Sequence, residues 1–160
     1  NNSFFGSSAG AVMTSGGGNT FIGSDAGNVM TNGGFNTFVG LNSGSTNGNG
    51  NTLIGVFTFG GGNSNTVVGD GAGSTGNSSI AIGDGANSQG NYNAAIGSGA
   101  KVQPFTPGSP APTFSTAIGA GVVANLDNSV FIGREIDVVR VDGVLNAGSV
   151  FSSSVTTSSL

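Results

Sequence analysis

Asn19-Thr20-Phe21-Ile22-Gly23, Asn36-Thr37-Phe38-Val39-Gly40, Asn51-Thr52-Leu53-Ile54-Gly55 and Asn65-Thr66-Val67-Val68-Gly69 are four copies of one phrase. A phrase that returns at near-constant spacing marks a repeat architecture. Worn copies follow in Ile80-Ala81-Ile82-Gly83, Ala94-Ala95-Ile96-Gly97, Thr116-Ala117-Ile118-Gly119 and Val130-Phe131-Ile132-Gly133, and Ser3-Phe4-Phe5-Gly6 precedes them. From Gly6 the closing glycines advance by 17, 17, 15, 14, 14, 14, 22 and 14 residues, so the period is 14 with additions. Each phrase is short, β-branched or aromatic, and closed by Gly, which predicts a strand ending in a turn.

Composition supports an all-β chain. Of 160 residues 32 are Gly, and Gly inside a helix costs about 0.5–1 kcal/mol relative to Ala. Only 6% of residues are charged while Phe, Ile and Val recur throughout, which is not the signature of a chain too polar to collapse. The glycines do not fall at every third position and there are 4 prolines, so collagen is excluded. A net charge of -4 with three basic residues, Lys101, Arg134 and Arg140, leaves no stripe for nucleic acid. No run of about 18 apolar residues predicts a membrane span. No charged-then-apolar leader opens the chain at Asn1, so if the protein is exported this is a mature or excised piece. With no Cys there is neither a disulfide nor a thiolate metal site.

Between the phrases, small residues alternate in Ala72 and Ser74, Ala86 and Ser88, Ala100 and Val102, and Val122 and Ala124, which suits a narrow interior. Gly-Asn pairs such as Gly18-Asn19, Gly50-Asn51, Gly62-Asn63, Gly76-Asn77 and Gly90-Asn91 stand where a corner needs positive φ. Fourteen residues therefore hold two strands and two corners. Such a coil buries nothing alone, so coils must stack at about 4.8 Å, giving nine coils and a rod of roughly 40 Å. Strand alternation divides each phrase between two faces. The uniform bulk of Ile22, Val39, Ile54, Val68, Ile82 and their equivalents, with the Thr20 to Thr66 column two residues earlier, predicts the interior. The intervening column of Phe4, Phe21, Phe38, Leu53, Val67, Ala81, Ala95, Ala117 and Phe131 is then expected to point outward and line the axis of a symmetric oligomer.

Ser79-Ile80-Ala81-Ile82-Gly83-Asp84-Gly85-Ala86-Asn87-Ser88-Gln89-Gly90 and Asn93-Ala94-Ala95-Ile96-Gly97-Ser98-Gly99-Ala100 resemble the head repeat of YadA-like trimeric autotransporter adhesins. The resemblance covers about residues 3 to 133. It implies a homotrimer of left-handed parallel β-rolls, extracellular on a bacterial surface or filament, mediating attachment to a surface or matrix ligand or to a neighbouring fibre. The longer early turns, with Asn-Thr-Phe-Ile/Val-Gly, are also similar to phage tail-fibre repeats, which implies the same architecture on a virion as the alternative.

The expected organisation is a parallel β-solenoid over 1–133, with a Pro-rich insertion at 101–115, and a charged cap and Ser/Thr-rich tail over 134–160. All four prolines fall in the insertion, where Pro104, Phe105, Pro107, Pro110 and Phe114 are candidate partner-binding residues. Val56-Phe57-Thr58-Phe59 replaces the usual small residues, and Phe57 and Phe59 share one face, filling a gap or forming an exposed patch. Arg134, Glu135, Asp137, Arg140 and Asp142 alternate with Ile136, Val138 and Val141, as an edge strand capping the last coil would.

No catalytic or cofactor residue is expected. Gly6-Ser7-Ser8-Ala9-Gly10 matches a nucleophile elbow, but the chain has no His. Gly71-Ala72-Gly73-Ser74-Thr75-Gly76 matches a dinucleotide fingerprint without a βαβ unit. Asp70 and Asp84 form a short column with too few oxygen ligands for calcium. Ice binding by the Thr column is a further alternative, disfavoured by the interior position expected for those threonines.

Overall fold

In the computed structural model, which describes residues 1–140, every strand is parallel and the chain is a β-solenoid of nine turns. A long sheet of nine strands takes one from each repeat phrase: Ser3–Phe5, Thr20–Ile22, Thr37–Val39, Thr52–Ile54, Thr66–Val68, Ile80–Ile82, Ala94–Ile96, Thr116–Ile118 and Val130–Ile132. A short sheet of six strands lies across the coil: Gly44–Ser45, Phe59–Gly60, Gly73–Ser74, Asn87–Ser88, Lys101–Val102 and Val123–Ala124. Neighbouring coils pair in strict register, Thr20 with Thr37, Phe21 with Phe38 and Ile22 with Val39, so each repeat position becomes a column. The additional residues of the longer repeats fall outside the long sheet and leave it unbroken.

The closing glycine sets this register. Gly40 has φ +133°, which side chains rarely adopt, and a Cβ there would lie 2.1 Å from the Gly55 carbonyl oxygen of the next coil. Two residues on, every turn from the first to the eighth enters the left-handed region again, at Ser8, Asp25, Asn42, Phe57, Gly71, Gly85, Gly99 and Gly121. Most of these are the small or polar types that tolerate it.

The faces are the reverse of those expected from the alternation. Phe21, Phe38, Leu53, Val67, Ala81, Ala95 and Ala117 are fully buried inside the single chain, so this column is the coil's own core and not an oligomer axis. Phe4 and Phe131, at the two ends, belong to the same column but are only partly covered. The physical reason is volume. The Phe21 ring fits because Gly27 faces it, where a Cβ would come within 2.4 Å of the ring, and Leu53 packs on Gly60. Phe4, Phe21 and Phe38 stack along the rod with centroids 4.8 and 4.6 Å apart. Farther along, the column shrinks to Ala81, Ala95 and Ala117, and the opposite wall fills the space with Ser88, Val102, Val122 and Ala124, all buried. The small alternating residues are interior as expected.

Beyond the last strand, residues 134–140 form no strand, and Ile136 and Val138 are exposed. The Arg134 guanidinium instead bonds the Asp137 carboxylate at 3.1 Å, while the Arg134 amide donates to the same carboxylate. Together these hold that carboxyl below the usual range. Asp142, Val141 and the Ser/Thr-rich tail lie outside the described residues.

A core assignment for the Phe column has a direct consequence. Phe38→Ala should lower the unfolding free energy by about 3–5 kcal/mol, the usual cost of removing a buried aromatic side chain, as read from urea denaturation, without changing the mass measured by light scattering under native conditions.

Candidate functional site

Buried corners of a narrow coil must satisfy backbone amides that no strand pairs. A column of asparagines does this. The amides of Asn36, Asn51, Asn65 and Ser79 donate to the side-chain oxygens of Asn19, Asn36, Asn51 and Asn65 of the preceding coil, at 2.9–3.0 Å. Their Nδ2 groups donate onward to the carbonyls of Gly48, Gly62 and Gly76. Ser79, Asn93 and Ser115 continue the column past the insertion. A second, exposed ladder runs through Asn49, Asn63, Asn77 and Asn91. The buried ladder was not anticipated from the sequence, although its signal was there: the residue before each strand is Asn or Ser from Asn2 to Ser129.

These ladders fix the outward face of the long sheet, the first candidate surface. Its two columns are Thr20, Thr37, Thr52, Thr66, Ile80, Ala94, Thr116 and Val130, and Ile22, Val39, Ile54, Val68, Ile82, Ile96, Ile118 and Ile132. Ile22 and Ile54 are 43% and 42% exposed, and Ile82, Ile96, Ile118 and Ile132 are also exposed. The face carries no charged side chain. The threonines are therefore outside the coil, which removes the reason for setting aside a surface role for them.

The insertion is the second candidate. Gln103, bonded through its amide to the Ala124 carbonyl, is its near end, and Pro112 is its far end. The Pro112 carbonyl accepts from Asn93 Nδ2, in the place that glycine carbonyls occupy in earlier coils. Between these points Pro104, Phe105 and Pro107 come together with Gln89 and Gln103 around a shallow cavity of about 260 Å³. Phe105 is exposed. Pro110 and Phe114 do not line this cavity. Phe114 turns at φ +54° and stacks on Tyr92 of the previous coil, centroids 4.9 Å apart, with both rings exposed. Tyr92 was not singled out from the sequence, because its pairing depends on how the 22-residue repeat closes.

Val56-Phe57-Thr58-Phe59 resolves as an exposed patch: Phe57 and Phe59 face solvent with Thr58 buried between them. Asp70 and Asp84 are exposed on adjacent coils, and among the described residues no three His, Cys, Asp or Glu side chains come together as a metal would require. Ser8 of the elbow-like motif is an ordinary left-handed corner residue. Among the described residues no helix is long and apolar enough to cross a membrane. No protein-family model matches the chain, and no curated protein matches it.

The Asn ladder carries a measurable load. Asn65→Ala removes the acceptor for the Ser79 amide and the donor to the Gly61 and Gly76 carbonyls. At about 1–3 kcal/mol per buried group left unsatisfied, the variant should unfold at clearly lower urea concentration, whereas Asn63→Ala on the exposed ladder should shift the midpoint far less.

Proposed function

We propose that this chain is a rigid, non-enzymatic rod, a segment of an extracellular fibre or adhesin head, that self-associates through the outward face of its long sheet. One observation carries the reading: that face is a continuous, uncharged, largely apolar surface running the length of the nine strands. Large exposed apolar surfaces mark association sites. A second copy is the natural occupant, because it carries the same row spacing of about 4.8 Å and its ridges interlock with these over the whole length. A closed homotrimer around this face accords with the resemblance to trimeric adhesin heads, now with the Ile/Val and Thr columns at the axis in place of the Phe column. Mounted on a virion, the same rod is a tail-fibre segment.

A second reading has its own support. Thr20, Thr37, Thr52 and Thr66 stand in an unbroken row on the exterior of the parallel sheet, with Thr116 farther along after Ile80 and Ala94, an array of hydroxyls and methyls of the kind that orders water as ice does. The two readings compete for one face. Light scattering at micromolar concentration separates them. A stable oligomer that dissociates to folded monomers on Ile54→Asp with Ile82→Asp supports self-association, since the introduced charges would be buried unpaired. A monomeric wild type that inhibits ice recrystallisation supports the second reading and overturns the first.

In the proposed fibre the insertion is the attachment element, presenting Phe105 as an apolar anchor. Replacing residues 104–111 by Gly-Asn, which spares the Pro112 acceptor, should leave the thermal midpoint within a few degrees of wild type and abolish adhesion to the target surface. Retained adhesion with lost stability would make the loop a packing element.

A further inference from the structure

We propose that the corner around Phe57 and Phe59 is a binding site for a neutral glycan. Phe57 and Phe59, with Val29, Asn28, Asn42 and Thr46, line an open groove of about 340 Å³, at the lower end of the roughly 300–1,000 Å³ typical of small-ligand sites. None of the lining residues belongs to the long sheet, so the site does not depend on whether that face associates.

Three features of this corner bear on its use. Phe57 adopts φ +53° at a position that seven other turns fill with Gly, Ser, Asn or Asp. A bulky side chain in the left-handed region is a conformational outlier, shared among the described residues by Phe35, Tyr92 and Phe114 at the corner before the long-sheet strands, and such strain concentrates at functional positions. Packing does little to offset it, because Phe57 is 58% exposed. Among the polar side chains of the groove, the buried Thr58 hydroxyl pairs with Ser43 Oγ, and the outward ones are unengaged. The amides of Asn19, Asn36, Asn51 and Asn65 are tied into the buried ladder, whereas among the described residues no hydrogen bond is made by the side chains of Asn28, Asn42 or Thr46. Finally, none of the lining residues is ionisable.

That combination selects a class of ligand. A pyranose ring offers an apolar C–H face to an aromatic ring and hydroxyls at its rim to amides and hydroxyls, each of which both donates and accepts. A charged ligand would be desolvated here without a counter-charge, and the net charge of -4 further disfavours an anion. The groove is open along the surface, which suits residues within a longer glycan.

The test uses the intact protein with cellohexaose, maltohexaose and chitohexaose as neutral probes and hexagalacturonate as the anionic one, by saturation-transfer NMR and calorimetry. At least one neutral hexasaccharide should bind with a Kd on the order of 0.1–1 mM, and hexagalacturonate should not. Phe57→Gly should weaken that binding by about tenfold or more while leaving the thermal midpoint unchanged or higher, because Gly fits the corner without strain. Phe59→Thr, which keeps a strand-compatible residue in the short sheet, provides a second variant with the same expected loss. The proposal is overturned if no neutral probe binds, if both variants bind like wild type, or if Phe57→Gly lowers the midpoint, which would make the ring a packing element.

Discussion

The contact between successive closing glycines is the constraint from which the other columns follow. From Gly23 to Gly119 each closing-glycine carbonyl sits where a Cβ of the neighbouring coil would otherwise be, as between Gly40 and Gly55. The chain therefore has to turn at the same place in every coil. Once that corner is common, the strand before it, the Asn or Ser that opens the strand, and the small residues across the coil all repeat at one rise. Extra residues can enter only between fixed corners. That is why repeats of 17, 15 and 22 residues coexist with 14-residue ones in an unbroken nine-stranded sheet.

The glycine column sets spacing, and the asparagine ladder supplies cohesion where strands cannot. A coil this narrow buries its corners together with their amides, and each buried Asn satisfies the amide of one neighbour and the carbonyl of another. The amide-to-side-chain bonds of the ladder all join adjacent coils, and Asn65 and Asn93 each add a local bond to a carbonyl four residues back. Stability therefore resides in the interfaces between coils, as in other linear repeat proteins. The continuation of the ladder through Asn93, Pro112 and Ser115 explains how the rod passes a 22-residue repeat without losing register.

The period, the strands, the corners and the number of coils were all legible in the sequence, because glycine spacing and β-branched runs have single physical readings. The assignment of faces was not, because a strand apolar on both sides obeys alternation equally well in either parity. What decides parity is volume across the coil. From Leu53 onward, the column Leu53, Val67, Ala81, Ala95, Ala117 falls in size as the facing wall passes from Gly60 through Ser74 and Ser88 to Val102 and Ala124. The Ile22 to Ile132 column shows no such compensation, as expected of side chains with no opposite wall. Uniform bulk was taken as the mark of an interior, whereas reciprocal variation is the better one. The insertion's position was legible too, but the Tyr92 and Phe114 stack was not, since the rings meet only through the loop's closure.

That same contrast bears on the outward face. Free of a facing wall, its columns are under no volume constraint from the coil, and solvent alone would accept Lys, Glu or Asp there. Yet Asp25, Asp70, Asp84, Lys101, Asp127 and Arg134 all lie elsewhere, and the face alternates only among Thr, Ile, Val and Ala along its central strands. β-Propensity accounts for Thr, Ile and Val in an exposed strand, but it does not account for the exclusion of every charge over the whole length of the rod, since exposed sheet edges and faces ordinarily use charge to prevent association. A surface with no internal volume requirement and no protective charge is what an association face would present. The self-association proposed for this face would supply the missing constraint, because every copy brings the same rows at the same spacing.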